Sequence, residues 1–486
     1  MKKVLEIGVK LSDQRDLDRL LEEILSCVME LANCDAGTLY LLDGGKLHFK
    51  ISRNNTLQNY SNGEGMPPVE LERGNVCALS LLENRTIRVE DVYSCSDYDF
   101  SGPRNYDALT GYRTRSMLVV PMRGRGGERL GVLQLINATD EEGQVCPFSR
   151  DMTLVLESVA SQAAITIRNV GYVREIKELF NSFVRVMSAA IDERSPYNAN
   201  HSRRMARCGE RFVDWLNARA AERGEEPPFA PRHKEELLMS IWLHDIGKIT
   251  TPLEVMDKAG RLTPLQEEII RSRLSAIGLV NRVQELEGKL SGSERELEDL
   301  RVSEALAYVE EINRAEFVTD RQLEYLEQMR SRSYTDQRGN RQPWLTGEEY
   351  AMLTIRKGTL SPEELESMRR HVVMTDKLLS QIRFSPELSH VRAWAAAHHE
   401  KLNGKGYPRG LKGDEIPCEV RIITILDIFD ALVAADRPYK KAKTVEQALK
   451  ILGFGVEDGE LDPELTRQFA ESRCWEGLYD REESNP

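Results

Sequence analysis

Cysteine and histidine are both scarce in this sequence, and no apolar run is long. The 486 residues include 8 cysteines, which are scattered without a Cys-x-x-Cys pair, and 8 histidines. Scattered cysteines of this kind are typical of reduced thiols that fill a protein core, so we expect a cytoplasmic protein. No stretch reaches the ~18 apolar residues that a membrane-spanning helix needs, and we predict no membrane span.

Basic residues are outnumbered by acidic residues. The chain has 66 lysine and arginine residues against 79 aspartate and glutamate residues, which gives a formal net charge of −13. A nonspecific nucleic-acid binder carries a basic surface, so we predict no nucleic-acid partner. The length predicts two or three domains, and the hydrophobic fraction of 41% is enough for globular cores.

The first 150 residues alternate between helical and strand-like patterns. Residues 17–31 carry apolar side chains at helical spacing, which predicts an amphipathic helix. Gly44-Gly45 predicts a tight hairpin between the first two strand-like runs. The predicted strands are residues 36–42, 46–51, 116–122 and 130–136.

This part of the chain resembles a GAF domain, and the resemblance covers residues 1–165. It is carried by AGTLYL at 36–41, TGYRTRSML at 110–118 and GVLQLIN at 131–137. The resemblance implies an α+β sensor domain, an antiparallel sheet with flanking helices. The alternative to a sensor is a domain used only for dimerisation and signal relay. Because the second segment is similar to GAF domains that bind cyclic nucleotides, the candidate ligand contacts are Thr110, Tyr112, Thr114, Arg115 and Asn137.

A long helical pattern follows over residues 152–187. Apolar residues recur there at three- and four-residue steps, and no proline interrupts them. A stripe this narrow suits a parallel two-stranded coil between a sensor and an output domain. We therefore expect a homodimer formed through the GAF domain and this connecting helix. The alternative is a helix that packs against its own domains.

The few histidines are concentrated beside carboxylates and glycines. His244-Asp245 follows an apolar helical pattern, and His398-His399 lies shortly before Gly406-Tyr407-Pro408. Imidazole and carboxylate groups paired in this way bind divalent transition metals. The spacing therefore predicts a metal-dependent hydrolase in the C-terminal half.

Three further residues are candidate ligands. Asp427 lies in a helix that is apolar on nearly every side, where a carboxylate without a partner would be very costly. Asp430, on a neighbouring face, is expected to cap a helix or pair with a cation. A capping box at residues 361–364 opens a helix that carries His371 about three turns in. His201 begins another helix, either as a ligand or as a cap.

Together these elements resemble the HD-GYP family, phosphodiesterases of the HD superfamily that hydrolyse cyclic di-GMP. The resemblance covers residues 188–455, with HDIGK at 244–248, HHE at 398–400, NGKGYP at 403–408 and DRPY at 436–439. It implies an all-α domain that holds two divalent metal ions, iron or manganese, and it leaves a third ion open. The implied metal ligands are His201, His244, Asp245, His371, His398, His399 and Asp427.

The resemblance also implies catalytic and substrate-binding roles. Metal ions in such a site lower the pKa of a bound water and hold phosphate oxygens, and Asp245 and Lys248 are the expected catalytic residues. The predicted reaction is hydrolysis of cyclic di-GMP to pGpG, GMP or both, regulated by the GAF domain. The alternatives are a phosphohydrolase of another cyclic nucleotide and a catalytically silent scaffold. The candidate substrate contacts are Lys248, Gly404, Gly406, Tyr407, Pro408, Arg437 and Tyr439.

The C-terminal domain is interrupted by an insertion at about residues 262–359. One motif segment occurs twice, as GRLTP at 260–264 and as GTLSP at 358–362. The first copy leads to Arg273 where the second leads to His371, so we expect His371 to supply the ligand. Within the insertion, residues 279–290 and 294–315 predict a helical hairpin.

The predicted architecture is therefore multidomain, with an N-terminal α+β GAF domain, a long connecting helix and a C-terminal all-α HD-GYP domain with a helical insertion. The last thirty residues are rich in acidic side chains, and we expect them to fray. The predicted boundaries are 1–165, 152–187, 188–455 and, for the acidic tail, 456–486.

Overall fold

A computed structural model of the chain describes residues 17–63, 65–124, 126–195, 200–336, 338–434 and 442–479. The chain divides into two compact units, Met1–Asn181 and Ser182–Pro486. Among the described residues, no helix is both long enough and apolar enough to cross a membrane.

The first unit is built on an antiparallel sheet. Its strands are β1 (Cys34–Asp43), β2 (Lys46–Asn54), β3 (Asn59–Ser61), β4 (Val69–Glu70), β5 (Ile87–Val89), β6 (Met117–Arg123), β7 (Arg129–Thr139) and β8 (Val145–Cys146). The strand order is β3-β2-β1-β7-β6-β5, while β4 pairs with β2 and β8 pairs with β7. The four strands predicted from the sequence correspond to β1, β2, β6 and β7 and are confirmed.

Helices cover both faces of this sheet. They are α1 (Leu17–Ala32), α2 (Val76–Glu83), α3 (Ser101–Thr110) and α4 (Arg150–Asp192). Alternate side chains of a strand point to opposite faces, so β1 sends Leu39 into a core with α1 and α4, and Tyr40 into a second core with α2. The hairpin between β1 and β2 needs positive φ at both turn residues, which Gly44 and Gly45 supply at 55° and 79°.

The long helix α4 has two different parts. Leu156, Val159 and Ala163 are buried in the core of the first unit, as expected for a helix that packs on its own domain. Further along, Val173, Ile176, Leu179, Phe183 and Val186 are between 60% and 71% exposed. The packing alternative therefore holds for the first part, and the coil stays a prediction for the second.

The second unit is mainly helical. Its helices are α5 (His201–Glu222), α6 (Pro231–Leu243), α7 (Leu253–Met256), α8 (Pro264–Leu286), α9 (Gly292–Arg314), α10 (Asp320–Ser331), α11 (Gly347–Leu353), α12 (Pro362–Leu379), α13 (Val391–Ala395), α14 (Cys418–Val433), α15 (Val445–Glu457) and α16 (Pro463–Ser472). A short hairpin of β9 (Ser333–Thr335) and β10 (Arg341–Pro343) lies between α10 and α11. The predicted helical domain is therefore confirmed, and the hairpin is an addition within the inserted segment, which the sequence predicted as helical.

The inserted segment forms a hydrophobic core of its own. Ile270 and Ile277 of α8 pack with Val309 of α9, Leu326 of α10 and Leu353 of α11. The predicted hairpin is present, but its first helix runs unbroken over Pro264–Leu286 instead of starting at residue 279. The break was wrongly placed because Leu279, Val283 and Leu286 are exposed residues on the continuation of the same helix, whose buried apolar residues are Ile270, Leu274 and Ile277.

The expectation of a frayed acidic tail from residue 456 is wrong for the part that the structure describes. Phe469 of α16 is fully buried, and Cys474 and Trp475 join the same core as α5 and α14. Acidic side chains such as Glu464 and Glu471 are exposed, so the overall composition of the segment hides an apolar stripe. Residues 480–486 lie outside the described residues.

Candidate metal centre

The His244-Asp245 pair lies inside the second unit, at the end of α6. Leu237 and Ile241 of α6 are fully buried in the core. His244, at the end of the helix, is also fully buried, and Asp245 is 4% exposed. Gly247 follows, and a Cβ there would lie 1.9 Å from the backbone oxygen of His371. Only glycine permits so close an approach of α12 to the segment after α6.

Helix α12 positions His371 beside this pair. The predicted capping box of Ser361 with Glu364 is present, and α12 begins at Pro362, directly after Ser361. Thr375, one turn after His371, donates its hydroxyl to the backbone oxygen of His244 at 2.9 Å and accepts the amide of Gly247 at 3.0 Å. Two hydrogen bonds therefore fasten α12 to the His-Asp segment.

His398 and His399 follow the short helix α13. Thr424 of α14 donates its hydroxyl to the backbone oxygen of His398 at 2.7 Å. Asp427 lies one turn further along α14, with Oδ2 at 3.9 Å from His399 Nδ1 and Oδ1 at 3.5 Å from His201 Nε2. The apolar helix thus delivers its carboxylate to the histidines.

Three of the histidines are oriented in the same way. His244, His371 and His398 each place Nδ1 2.6–2.7 Å from the backbone oxygen three residues earlier. Nδ1 must then carry the proton, which leaves the Nε2 lone pair free as a metal ligand. The Nε2 atoms of His371 and His398 lie 3.4 Å apart, and those of His201 and His244 lie 3.2 Å apart.

The buried Nε2 lone pairs of His371 and His398, which face each other at 3.4 Å, repel unless a cation lies between them. Asp245 adds to this, because its Oδ1 is buried and has no hydrogen-bond partner among the described residues. In the part of the chain that the structure describes, two groups of three residues place their ligand atoms within 4.8 Å of one another, as a metal site requires: His201, His244 and Asp245, and His371, His398 and His399. The residues therefore fit divalent cations of the type that the sequence predicted.

The seven predicted metal ligands are thus brought together, and His201 is a member of the cluster and not a helix cap. The cap of α5 is Asn200. His201 Nδ1 lies 2.7 Å from Oδ2 of Asp430. Asp430 also accepts from Nε of Arg204 at 2.9 Å, so the prediction that it pairs with a cation is confirmed.

The histidines of the cluster differ in their pKa values. Burial lowers the pKa values of His371, His398 and His399, the last to about 4, so these imidazoles stay neutral. Burial also acts to lower the pKa of His201, but the carboxylates of Asp430, Asp245 and Asp427 outweigh it and raise the pKa to about 10.

Lys248 lies against the carboxylate of Asp245, with Nζ 2.5 Å from Oδ2. Burial acts to lower the pKa of Lys248, but Asp245 and Asp427 outweigh it and raise the value above the ordinary range. Burial likewise acts to raise the pKa of Asp245, but Lys248 and His244 hold it well below its usual range. The pair is therefore an ammonium and a carboxylate at neutral pH.

The glycine-rich loop lies next to His399. Tyr407 places its ring centroid 4.8 Å from that of His399, and the Arg369 guanidinium lies 5.3 Å from the Tyr407 ring. Glu400 holds the loop from inside, because its carboxylate accepts the amides of Arg409 at 2.7 Å and Leu411 at 2.9 Å. The predicted contacts Arg437 and Tyr439 lie outside the described residues.

Gly404 and Gly406 are required by this loop. Gly404 has φ of 77°, and a Cβ on Gly406 would lie 2.3 Å from the amide nitrogen of Lys401. Pro408 follows Tyr407 through a cis peptide bond. The loop can approach the histidines only with glycine at these positions.

Arg273 does not join the metal cluster. Its guanidinium donates to the carboxylate of Glu349 at 2.6 Å and 3.0 Å, and to the backbone oxygen of Trp344. The first motif copy therefore belongs to the inserted core, and His371 of the second copy lies in the cluster.

Four residues near the site were not among the predicted site residues: Thr375, Glu400, Arg369 and Tyr479. Thr375 could have been found from the sequence, since it lies four residues after His371 and shares its helical face. Tyr479 could not, because it reaches Asp430 from a segment 49 residues later in the chain.

The candidate ligand residues of the first unit are engaged in hydrogen bonds within that unit. Asn137 donates to the Tyr112 hydroxyl at 2.9 Å and accepts the amide of Arg115 at 2.7 Å. Thr114 donates to Asp107 at 2.8 Å, and Thr110 donates to the Tyr106 backbone oxygen at 2.7 Å. These bonds hold the segment between α3 and β6.

The fold and the ligand groups define a two-unit protein whose helical unit can bind metal ions. The GAF domain family matches residues 16–167, and the HD domain family matches residues 347–465. The chain therefore contains a GAF domain followed by an HD domain, and the predicted recognition is confirmed.

Several curated proteins match over a short region. The chain is 44% identical over 107 residues to 3'3'-cGAMP-specific phosphodiesterase 3 of Vibrio cholerae, which is 22% of this chain and 22% of that protein. It is 42% identical over 98 residues to a cyclic di-GMP phosphodiesterase of Thermotoga maritima, which is 20% of this chain and 26% of that protein. The chain thus spans about a quarter of the length of these relatives.

Among solved structures, the GAF domain of a phosphoenolpyruvate-protein phosphotransferase from Coxiella burnetii matches with a TM-score of 0.29 and 17% identity. The match covers 36% of this chain and 95% of that one.

Proposed function

We propose that this chain is a metal-dependent phosphodiesterase that hydrolyses cyclic di-GMP. The observation that carries the proposal is the place of Asp245 between two groups of imidazoles. Its Oδ2 lies 3.2 Å from His244 Nε2 and 3.5 Å from His201 Nε2, while its Oδ1 lies 3.4 Å from His371 Nε2 and 3.8 Å from His398 Nε2. A carboxylate with one oxygen towards each group suits a bridge between two cations.

The two groups would hold one divalent ion each, and iron or manganese suits a set of imidazoles and carboxylates. When bound, such a pair of ions activates water and holds the oxygens of a phosphodiester. The proposal is for two ions. A third ion would need ligands beyond the two groups of described residues.

The chain's own residues supply charge and shape around the reacting phosphate. Lys248 is partly buried beside Asp245, and its ammonium would stabilise negative charge that develops on the phosphoryl oxygens. The Tyr407 ring beside His399 offers an aromatic face for a guanine base, and Arg369 offers a cation on the same side. Arg437 remains a proposed phosphate contact and Tyr439 a proposed substrate contact, both on the sequence motif alone.

Cyclic di-GMP is favoured because several of the matched relatives act on it by name. A second substrate has support of its own, since the Vibrio cholerae relative that shares 44% identity is specific for 3'3'-cGAMP. Both molecules are cyclic dinucleotides with two phosphodiesters, and they differ in one base. The same metal site would serve either one, so the bases must decide between them.

The test is a comparison of the two substrates with one preparation. Full-length protein is loaded with Fe²⁺ or Mn²⁺ without oxygen, and the linear dinucleotides and mononucleotides are followed by chromatography. We expect a higher kcat/KM for cyclic di-GMP, loss of product with His399→Ala, and wild-type rates with the matched surface variant His390→Ala. A higher kcat/KM for 3'3'-cGAMP would assign the second substrate instead.

The proposal includes regulation by the GAF domain in a cytoplasmic homodimer. The exposed stripe of Val173, Ile176 and Phe183 on α4 supports a two-stranded coil, because apolar side chains at these spacings pack well against a second copy. The internal hydrogen bonds of Tyr112 and Asn137 support relay without a small-molecule ligand. Sedimentation of Ile176→Glu beside wild type tests the dimer.

A further inference from the structure

Asp430 is surrounded by partners that use both of its oxygens. Oδ2 accepts from His201 Nδ1 at 2.7 Å and from Arg204 Nη2 at 3.2 Å. Oδ1 accepts from Arg204 Nε at 2.9 Å and from the Tyr479 hydroxyl at 2.8 Å. The carboxylate is 1% exposed, so protein groups and not water hold it in place.

The Asp430 carboxylate accepts from Nδ1 of His201 and so fixes the orientation of that ring, as a backbone oxygen does for the other oriented histidines. His244, His371 and His398 take an acceptor from their own segment, three residues earlier. His201 is the first residue of α5, and its acceptor comes from α14. The direction of the His201 Nε2 lone pair therefore depends on how α14 and its neighbours hold Asp430.

Tyr479 comes from a segment beyond the residues matched by the HD domain family. That segment is fixed by its own packing, since Trp475 and Tyr479 place their ring centroids 5.0 Å and 5.7 Å from that of Phe429. Arg211 of α5 also donates to the backbone oxygen of Glu476 at 2.7 Å. The phenol is therefore held at Asp430 by the core and not by chance contact.

We propose that Asp430 is a positioning residue for His201, and that residues 474–479 complete this support by placing Tyr479 on Asp430. The C-terminal segment would then set the metal affinity of the group formed by His201, His244 and Asp245. This inference rests on the proposed metal site, but not on the identity of the substrate.

The test measures metal binding directly on full-length apoprotein. Mn²⁺ is titrated into wild type, Asp430→Asn, Tyr479→Phe and Tyr93→Phe, and free Mn²⁺ is read by electron paramagnetic resonance. Tyr93→Phe is the matched control, because its hydroxyl also donates to a carboxylate, Asp107, in the other unit. Melting of each apoprotein reports whether the variant is folded.

After each affinity is corrected for the proton that metal displaces from His201, we expect Asp430→Asn to weaken one binding step by about 10–100-fold, the usual cost of losing an outer partner of a ligating histidine. Tyr479→Phe should weaken the same step by about two- to tenfold, as for one hydrogen bond. The other step should keep its wild-type affinity, and excess Mn²⁺ should restore the turnover of Tyr479→Phe. Tyr93→Phe should bind as wild type does.

Wild-type affinity at both steps in Asp430→Asn and Tyr479→Phe would overturn the inference, whatever the hydrolase assay shows. Equal weakening of both steps together with a lower melting temperature would also overturn it, because that result indicates a general packing role. A third outcome separates the two proposals. If the variants lose one binding step but the wild-type protein hydrolyses no cyclic dinucleotide, the inference is supported and the proposed function is defeated.

Discussion

His371 Nε2 lies 3.4 Å from His398 Nε2, although His371 lies in α12, His398 follows α13, and the inserted segment separates His371 from His244. The neighbouring Gly247, Thr375 and Thr424 explain this meeting, since they fasten α12 and the segment after α13 to the rest of the unit. The site therefore survives an insertion in the middle of its motif set because the insertion has its own core.

The assignment of His371 can be tested by exchanging the roles of the two motif copies. His371→Ala should lower the metal content by about one ion per chain, because the group with His398 and His399 loses a ligand. Arg273→His in the same background should not restore it, because that side chain lies in the inserted core. Metal per chain after desalting is the measurement, and restoration by Arg273→His would contradict the assignment.

Arg273 should instead matter for stability. Its ion pair with Glu349 is largely buried, with side chains 15% and 7% exposed, so Arg273→Met should lower the free energy of unfolding by about 3–5 kcal/mol. Arg271→Met removes an exposed pair with Glu310 and should cost about 1 kcal/mol or less. Urea unfolding measures both, and equal effects would show that burial of the pair is unimportant.

Metal uptake should release a proton from His201. The pKa of about 10 means that the apoprotein carries a protonated His201 at pH 7.5, whereas a ligating imidazole must give up its Nε2 proton. Binding should therefore release about one proton per chain, and the affinity of that step should rise about tenfold per pH unit below pH 10. A pH indicator in weak buffer measures the release, and uptake without protons would contradict the protonated state.

Lys248 should affect turnover more than metal binding. Lys248→Met removes the ammonium beside Asp245 and should lower kcat by about 10²–10³-fold at full metal occupancy, because charge on the phosphoryl oxygens loses a partner. Lys234→Met, which removes a surface pair with Asp214, is the matched control and should leave kcat unchanged. An unchanged kcat in Lys248→Met would exclude this role.

The folded C-terminal segment predicts a clear stability difference between two phenylalanines. Phe469→Ala should cost about 3–5 kcal/mol, because the ring is fully buried against Phe212, Phe429 and Trp475. Phe454→Ala should cost about 0.5 kcal/mol or less, because that ring is 48% exposed. Thermal unfolding of both variants measures the difference, and a silent Phe469→Ala would mean that the segment is frayed after all.

Local patterns in the sequence predicted much of the fold and the ligand cluster. Strand alternation located β1, β2, β6 and β7, and a capping box located the start of α12. Spacing of His244-Asp245, His371, His398-His399 and Asp427 was enough to nominate ligands, because each lies in a short motif with its own local signal.

Long-range contacts could not be predicted in the same way. Tyr479 bonds to Asp430 across 49 positions, and Arg273 pairs with Glu349 across 76 positions. No periodic pattern in the sequence indicates either contact. The acidic composition of the C-terminal segment also led to the wrong expectation of fraying. Only a few of its side chains are large and apolar, but Phe469 and Trp475 among them are buried in the core. Composition reports the solvent-facing side chains, whereas a few buried rings decide whether such a segment folds.

The most direct test of the proposed function is the rate of cyclic di-GMP hydrolysis as a function of metal ions bound per chain. Full-length apoprotein is loaded stepwise with Mn²⁺ or Fe²⁺, and pGpG and GMP are quantified at each occupancy. We predict little product below one ion per chain and a steep rise towards two, because Asp245 turns one carboxylate oxygen towards His244 and the other towards His371. No product from folded protein that holds two ions per chain would contradict the assignment as a phosphodiesterase of cyclic di-GMP.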